Sequence, residues 1–282
     1  MVSFALSLMS LPFSQTEARY ASIVIDTNSG AVLHETNADT PNYPASLVKM
    51  MTLYLTFEAL TRNRLEMDQR LGVSKRAVGM APSRLGLRLG QRIRAEEAIL
   101  AVVTKSANDA AVVLAEAVAG NELKFAQMMN DKARELGMKR TTFCNATGLP
   151  NRRQLSTARD MVTLAQALLR DFPQYYRLFS VTAFRYRDRT YHNHNRLLES
   201  YVGADGIKTG YTRASGFNLV ASVKRGENRL IAVVFGGKTA KSRDQHMVEL
   251  LDRAFARIDT VTNVASLSGP PRREVIQIKR PE

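Results

Sequence analysis

Three short motifs follow one another along the chain, and together their residue types can carry out acyl transfer. They are Ser-Leu-Val-Lys at 46–49, Ser-Ala-Asn at 106–108 and Lys-Thr-Gly at 208–210. A chain of this length holds a Ser-x-x-Lys match by chance about once, so each motif alone is weak evidence. The ordered set is much rarer, and no second Ser-x-x-Lys or Ser-x-Asn occurs in the sequence. The set therefore predicts one site with a serine nucleophile.

The first motif can supply the nucleophile and its base. Ser46 and Lys49 are neighbours on one face if the apolar segment 47–60 forms the buried helix that its pattern predicts. A serine hydroxyl needs an adjacent base, and a lysine serves only if its pKa is lowered. We expect the helix N-terminus and the second cation, Lys208, to lower the pKa of Lys49. The Ser46 backbone N–H can face a developing oxyanion.

The second motif falls between two predicted helices, so its side chains can project from a tight turn. There Ser106 can relay a proton between Lys49 and the leaving group, and Asn108 can hydrogen-bond a substrate amide. Asn-Asp at 108–109 also has the residue types of a helix N-cap, and both roles are compatible.

The third motif has a β-branched centre between glycines, which is typical of an edge strand that another backbone approaches closely. A peptide can add alongside such a strand, next to Gly210. Lys208 and Thr209 then offer a charge and a hydroxyl to an anionic end, and the Tyr211 N–H can be a second oxyanion donor. A basic edge strand that guards against aggregation is the alternative interpretation.

Two hairpins and a series of helices are predicted to position these motifs. Residues 21–26 and 31–35 flank a turn signal, and 218–223 and 229–235 form a second such pair. If both hairpins share one antiparallel sheet, the helices between them form an inserted cluster, and a cleft lies where the layers meet. The predicted fold class is α/β of the α+β kind, with an antiparallel sheet flanked by helices. Helices are predicted over 47–60, 95–103, 109–118 and 121–136, after Ser156, and from Ser242, which has a capping-box spacing with Gln245.

The composition is that of one globular domain with a basic surface. The 282 residues are 45% hydrophobic and 23% charged, and 40 Lys and Arg against 26 acidic residues give a net charge of +14. Such a charge favours anionic partners. The basic residues are scattered, Trp is absent and no nucleic-acid motif occurs, so we expect no nucleic-acid binding.

Neither cysteine nor histidine points to a metal or another cofactor. The single cysteine, Cys144, excludes an internal disulfide and a cysteine-based metal cage. The four histidines lack metal-ligand spacing. We expect His192 and His194, in a polar loop, to be structural or to line the cleft, and we expect the reaction to need no cofactor.

The two ends of the chain differ from the predicted domain. Residues 1–18 hold an apolar run followed by small residues but no basic start, so they are an export signal or a loose apolar arm. We favour export, to the periplasm or another extracytoplasmic compartment. The run is too short to span a membrane. We expect the domain at 19–259, its helical insertion at about 60–175, and a basic tail at 260–282.

The motif set resembles the penicillin-interacting serine hydrolases. Five further segments are similar to the low-molecular-mass D-alanyl-D-alanine carboxypeptidases: 136–138, 148–149, 156–161, 205–212 and 215–222. The resemblance covers roughly residues 19–259. It implies a serine β-lactamase/DD-peptidase-like fold, in which an antiparallel sheet backed by helices meets a helical subdomain at the site.

The resemblance also implies a role for each motif residue. Ser46 is the nucleophile and Lys49 its base, Ser106 and Asn108 form the second motif, and Lys208, Thr209 and Gly210 form the third. Arg243 stands where related enzymes carry an Arg near the terminal carboxylate of the substrate. We expect no counterpart after Asp259 of the family's second, all-β domain and membrane anchor, which leaves membrane attachment open. Tyr211 replaces an expected His or small residue, which alters the shape of the pocket.

The implied activity is removal of the terminal D-Ala from peptidoglycan stem peptides through an acyl-enzyme on Ser46, with β-lactams as covalent inhibitors. An endopeptidase is less favoured because Ser-Ala-Asn-Asp at 106–109 looks more like the carboxypeptidase version. A class A β-lactamase needs a deacylating Glu after the second motif, and 141–151 contain no acidic residue. A non-catalytic wall-binding protein is the alternative of another class, against which the intact motifs argue.

Overall fold

A computed structural model of the chain describes residues 20–267, with side chains described for 20–260. The predicted export signal or arm at 1–18 and most of the expected tail lie outside the described residues. None of the described helices is both long and apolar enough to cross a membrane. The strands are β1 (Ala21–Asp26), β2 (Val32–Thr36), β3 (Arg70–Gly72), β4 (Arg92–Arg94), β5 (Ala183–Tyr186), β6 (Arg189–His192), β7 (Ala204–Thr212), β8 (Gly216–Arg225) and β9 (Asn228–Gly237). The α-helices are α1 (Lys49–Thr61), α2 (Lys75–Val78), α3 (Ala95–Thr104), α4 (Asn108–Ala119), α5 (Glu122–Glu135), α6 (Ala158–Asp171), α7 (Pro173–Tyr176), α8 (Leu197–Ser200) and α9 (Ala240–Leu267).

The central sheet is antiparallel and has five strands in the order β2-β1-β9-β8-β7. Both predicted hairpins belong to it, because β9 of the second hairpin pairs with β1 of the first, with Ile23 opposite Val233. The prediction of one sheet is therefore confirmed. Strand β7, which carries the third motif, lies at an edge of the sheet.

Helices cover both faces of this sheet. One face packs on α6, and Ile23 and Val233 contribute to the larger apolar core there. The other face packs on α9, where Val24 and Leu219 meet Leu251. Successive side chains of a strand point to opposite faces, so every position of a central strand in a sheet covered on both sides must tolerate burial, and most are apolar. This requirement explains the continuous burial of β1.

Helix α1 lies at the centre of the helical layer. It contacts α4, α5 and α6 and is buried nearly all round, which explains the apolar residues on all of its faces. Helix α6, which lies within the expected helical insertion at about 60–175, packs on β9 and β1 of the central sheet. Two small sheets, β3–β4 and β5–β6, were not predicted. Strands of three or four residues are too short to show an alternating pattern.

The bounds of α9 differ from the prediction at both ends. The cap is formed by Thr239 and Ser242 and not by Ser242 and Gln245. The Ser242 N–H donates to Thr239 Oγ1 at 3.0 Å, and the Thr239 N–H donates to Ser242 Oγ at 3.1 Å. At the other end the helix continues to Leu267, into the expected tail. No Gly or Pro interrupts the sequence between Ala240 and Gly269.

Candidate active site

Ser46 lies in a tight 3-10 turn, Ala45–Val48, that leads directly into α1. This turn takes the place of the first turn of the α-helix predicted from residue 47. Two glycines allow neighbouring backbone to approach it. A Cβ on Gly210 of β7 would lie 3.1 Å from the Ser46 nitrogen, and one on Gly148 would lie 2.9 Å from the same atom. The backbone at Gly148 and at Gly210 therefore approaches the Ser46 nitrogen more closely than residues with a Cβ atom normally could.

Lys49 is fully buried and contacts Ser46 directly. Its Nζ lies 3.0 Å from Ser46 Oγ and also donates to the Thr147 carbonyl oxygen. Burial lowers the pKa of Lys49 well below its ordinary value, the cation Lys208 lowers it further, and Asp109 opposes the shift. A lysine with a lowered pKa is available as the neutral amine, the form that accepts a proton from a hydroxyl.

Ser106 and Asn108 lie at the turn between α3 and α4. Ser106 has a φ of 57°, and its Oγ is the one buried side-chain polar atom without a hydrogen-bond partner in the described part of the chain. An unpartnered buried hydroxyl costs about 1–3 kcal/mol, so Ser106 is poorly explained by stability alone. Asn108 Nδ2 donates to Ala81 O at 2.8 Å, while its Oδ1 accepts no hydrogen bond from residues 20–260. That oxygen can accept an N–H from a ligand.

Two residues outside the motifs complete this side of the site. The Asp109 carboxylate accepts hydrogen bonds from the backbone N–H groups of residues 85–87. These bonds hold that loop next to the second motif. Thr147 contributes its carbonyl oxygen to Lys49. An acidic residue inside an apolar helix pattern is a signal that could have identified Asp109. A backbone carbonyl leaves no such signal, because any residue type supplies one.

Lys208 is buried in β7, and its Nζ donates to the Thr209 carbonyl oxygen at 2.9 Å. Burial lowers its pKa to about 7, and the nearby Arg243 contributes. The charge of Lys208 in turn lowers the pKa of Lys49, which is the direction expected from the sequence. Two mutually repelling buried cations favour loss of one proton.

Arg243 is buried at the start of α9 and reaches the sheet. It donates from Nη1 to the Asn218 carbonyl oxygen and from Nε to Asp244 Oδ1, both at 2.8 Å. Burial lowers the pKa of Arg243, and Asp244 opposes this. Asn218, which the sequence analysis passed over, also donates from Nδ2 to Tyr43 O beside the Ser46 turn. The amide side chain of Asn218 in the largely apolar strand β8 is the sequence feature that could have identified it.

The predicted residues surround one cleft of about 1000 Å³. Tyr211 is 55% exposed at the cleft, and its ring stacks on Phe217 with centroids 4.2 Å apart. His192 and His194 line the cleft. Lys49 and Lys208 do not line it, and their Nζ atoms contact Ser46 Oγ and the Thr209 carbonyl oxygen, respectively. The predicted residues that line it are Ser46, Ser106, Asn108, Thr209, Gly210, Tyr211 and Arg243.

This geometry can perform acyl transfer, and comparison with known families agrees. The model of the peptidase S11 family, D-alanyl-D-alanine carboxypeptidase, matches residues 9–239. The chain belongs to this family. It is 37% identical over 255 residues to D-alanyl-D-alanine carboxypeptidase DacF of Bacillus subtilis, a match that covers 86% of this chain and 64% of DacF.

Further peptidase S11 relatives support the fold over most of the chain. D-alanyl-D-alanine carboxypeptidase DacC of Escherichia coli is 39% identical over 249 residues, which cover 86% of this chain and 62% of DacC. The chain therefore spans somewhat less than two thirds of the length of both relatives. Penicillin binding protein 5 of Haemophilus influenzae superposes with a TM-score of 0.81 at 35% identity, over 88% of this chain and 73% of that one.

Proposed function

We propose that this chain is a serine D-alanyl-D-alanine carboxypeptidase that removes the terminal D-Ala of peptidoglycan stem peptides through an acyl-enzyme on Ser46. The observation that carries the proposal is the 3.0 Å contact between Ser46 Oγ and Nζ of the fully buried Lys49. Membership in the D-alanyl-D-alanine carboxypeptidase family supports the choice of substrate.

In the acylation step, the neutral Lys49 amine takes the Ser46 hydroxyl proton while Oγ attacks the carbonyl carbon of the penultimate D-Ala. Negative charge then develops on that carbonyl oxygen. The backbone N–H groups of Ser46 and Tyr211 are the proposed donors to it. The closeness of Gly210 to the Ser46 nitrogen supports this role, because it brings the end of the third motif next to the nucleophile.

The tetrahedral intermediate then collapses with cleavage of the C–N bond. The amine of the terminal D-Ala needs a proton as it leaves, and Ser106 relays one from Lys49. The unpartnered Ser106 Oγ supports this assignment, since a relay needs an oxygen whose hydrogen bonds are not already committed. Asn108 Oδ1 accepts the amide N–H on the acyl side. Water next attacks the ester and gives a proton to Lys49, and Ser46 Oγ regains its proton.

Thr209 and Arg243, which line the cleft, are proposed to bind the terminal carboxylate of the peptide directly, and the buried Lys208 behind Thr209 is proposed to attract it by its charge. Burial and the nearby Arg243 lower the pKa of Lys208 to about 7. An arriving carboxylate favours the protonated lysine, so binding raises this pKa and holds the charge in place. A requirement for the free carboxylate separates a carboxypeptidase from an endopeptidase that uses the same nucleophile.

β-Lactams are the proposed covalent inhibitors, because they present a strained amide and a carboxylate to the same groups. The similarity to a structure named as a penicillin binding protein supports this. Peptidoglycan lies outside the cytoplasmic membrane, so we place the enzyme in the periplasm or another extracytoplasmic compartment.

The test is release of D-Ala from diacetyl-Lys-D-Ala-D-Ala by the purified chain, with intact-mass analysis after benzylpenicillin treatment. We expect release and a single adduct with the parent, and neither with Ser46→Ala. An adduct of equal yield on Ser46→Ala would remove Ser46 from its role. Labelling of the parent without release of D-Ala would reject the carboxypeptidase activity while keeping the nucleophile.

A further inference from the structure

A second pocket continues the cleft beyond Ser46. It has a volume of about 290 Å³ and shares Gly148, Leu149 and Thr212 with the main cleft. Pro150 contributes further apolar surface to it. Arg152 is the one charged residue among the described residues that line this pocket. The pocket therefore has an apolar wall and a single cation.

The walls of this pocket are held in place by hydrogen bonds. Gln154 is buried, and its Nε2 donates to Leu149 O at 3.1 Å while its Oε1 accepts the Cys144 N–H at 3.0 Å. On the opposite wall, Asn218 Nδ2 donates to Tyr43 O at 3.1 Å. A ligand side chain would thus meet a pocket that is formed before it binds, which lowers the entropic cost of binding.

The guanidinium group of Arg152 has no interaction partner among the described residues. Its side chain is exposed and forms no ion pair or hydrogen bond with residues 20–260. Arg153 is equally an exposed arginine but does not line the pocket. Of these two neighbouring arginines, only Arg152 is therefore placed to contact a ligand in this pocket.

The direction of β7 shows which part of a peptide reaches the pocket. Thr209, proposed to hold the terminal carboxylate, precedes Gly210, which lies beside the Ser46 nitrogen, and Thr212 follows it. A strand rises about 3.3 Å per residue, so Thr212 lies roughly 7 Å beyond Gly210, away from the carboxylate site. A peptide with its reacting carbonyl at Ser46 extends its preceding residues toward Thr212 and this pocket.

We propose that this pocket binds the side chain of the residue that precedes D-Ala-D-Ala, and that Arg152 selects a side chain ending in a carboxylate. The inference rests on the proposed function. The apolar wall suits the methylene groups of such a side chain, and the arginine suits its carboxylate. The substrate class is therefore a peptide whose third residue from the C-terminus is acidic.

The experiment compares two acetylated peptides that differ only in this charge. In one, L-2-aminoadipate precedes D-Ala-D-Ala, and in the other its side chain is amidated. The readout is the ratio of kcat/KM for the acid to that for the amide. We expect a ratio of about two to five in the parent, typical of an exposed ion pair, and about one in Arg152→Gln. Arg153→Gln is the matched control and should keep the parental ratio.

A ratio of one in the parent would overturn the proposal, and so would an equal loss of preference in the two variants. The second result would assign the preference to the overall basic charge. If the parent hydrolyses neither peptide, the proposed function fails, but the pocket is still tested. The same acid-to-amide comparison is then made by how strongly each peptide slows labelling of Ser46 by a fluorescent penicillin.

Discussion

A Cβ atom on Gly148 would lie 1.9 Å from the carbonyl oxygen of Ala45, far inside any real contact distance. The segment that follows Thr147 is thereby held against the turn that carries Ser46. Thr147 is also the residue whose carbonyl oxygen accepts a hydrogen bond from Lys49 Nζ. The close backbone contact at Gly148 thus helps to position both Ser46, the proposed nucleophile, and Lys49, the proposed base.

Gly148→Ala is predicted to destabilise the protein and to reduce acylation. The φ of +82° costs a non-glycine residue about 1–2 kcal/mol, and the clash adds to this, for a total of about 3 kcal/mol or more. Gly137→Ala is the matched control, because Gly137 has the same φ of +82° but no atom within 4 Å of its Cβ position. Denaturant unfolding and penicillin labelling measure both effects. Equal losses of stability in the two variants would contradict the role of the close contact.

Ser106→Ala is predicted to stabilise the fold while it impairs the reaction. Removing a buried hydroxyl without a partner should raise the free energy of unfolding by about 1 kcal/mol, or Tm by about 2–4 °C. Loss of a proton relay should slow acylation by about 10²–10⁴-fold. Ser156→Ala is the control, since Ser156 is buried with its Oγ 2.8 Å from Thr141 Oγ1 and should lose stability. A less stable Ser106→Ala with parental acylation would show that the residue is structural.

The sequence predicted those parts of the site that depend on side-chain type. A serine hydroxyl needs a neighbouring base to act as a nucleophile, so the pairing of Ser46 with Lys49 was predictable from their spacing, and their side chains lie 3.0 Å apart. The partner of Lys49 at Thr147 was not, because a main-chain carbonyl is common to all residues and its position depends on tertiary packing.

The central sheet was predictable from its hairpins. The ends of the helices were not, and neither was whether a given helix packs on the sheet or on other helices. At α9, both Thr239 with Ser242 and Ser242 with Gln245 have the three-residue spacing of a cap, and the hydrogen bonds select the first pair. Helix α6 has an ordinary amphipathic pattern, which gives no information on whether its apolar face meets a sheet or other helices.

The rate of acylation should depend on pH through the coupled pair Lys49 and Lys208. Lys49 acts as a base only when neutral, so kcat/KM rises with pH through its lowered pKa. Lys208 binds a carboxylate only when protonated, so kcat/KM falls as pH rises through about 7. In Lys208→Gln the falling limb should vanish, and the rising limb should move to higher pH because a repelling cation is gone. Labelling rates measured from pH 5 to 10 check this, and a flat parental profile between pH 5 and 9 would exclude a titrating amine.

The free carboxylate of the substrate should be required if Thr209 and Arg243, which line the cleft, and the buried Lys208 form the proposed carboxylate site. Charge-assisted hydrogen bonds contribute about 1.5–3 kcal/mol each, so amidating the C-terminus of diacetyl-Lys-D-Ala-D-Ala should lower kcat/KM by about tenfold to a hundredfold or more. Arg243→Gln should reduce the loss of kcat/KM that amidation causes. The amide of the introduced glutamine still offers a donor to the Asn218 carbonyl oxygen, which Arg243 contacts at 2.8 Å in the parent. An unchanged Tm would show that this variant is folded.

A muropeptide dimer cross-linked through a lysine side chain provides the opposing measurement, because the lysine ε-amine on the leaving side of its scissile bond has no carboxylate on the adjacent carbon. A carboxypeptidase should turn over the linear peptide faster than the dimer, and Arg243→Gln should narrow that difference by weakening the hold on the terminal carboxylate. An endopeptidase with the same nucleophile would cleave the dimer faster, and its preference would not depend on Arg243. If the dimer is the better substrate and Arg243→Gln leaves peptide turnover unchanged, then Lys208, Thr209 and Arg243 do not form a carboxylate site, and the endopeptidase is the correct assignment.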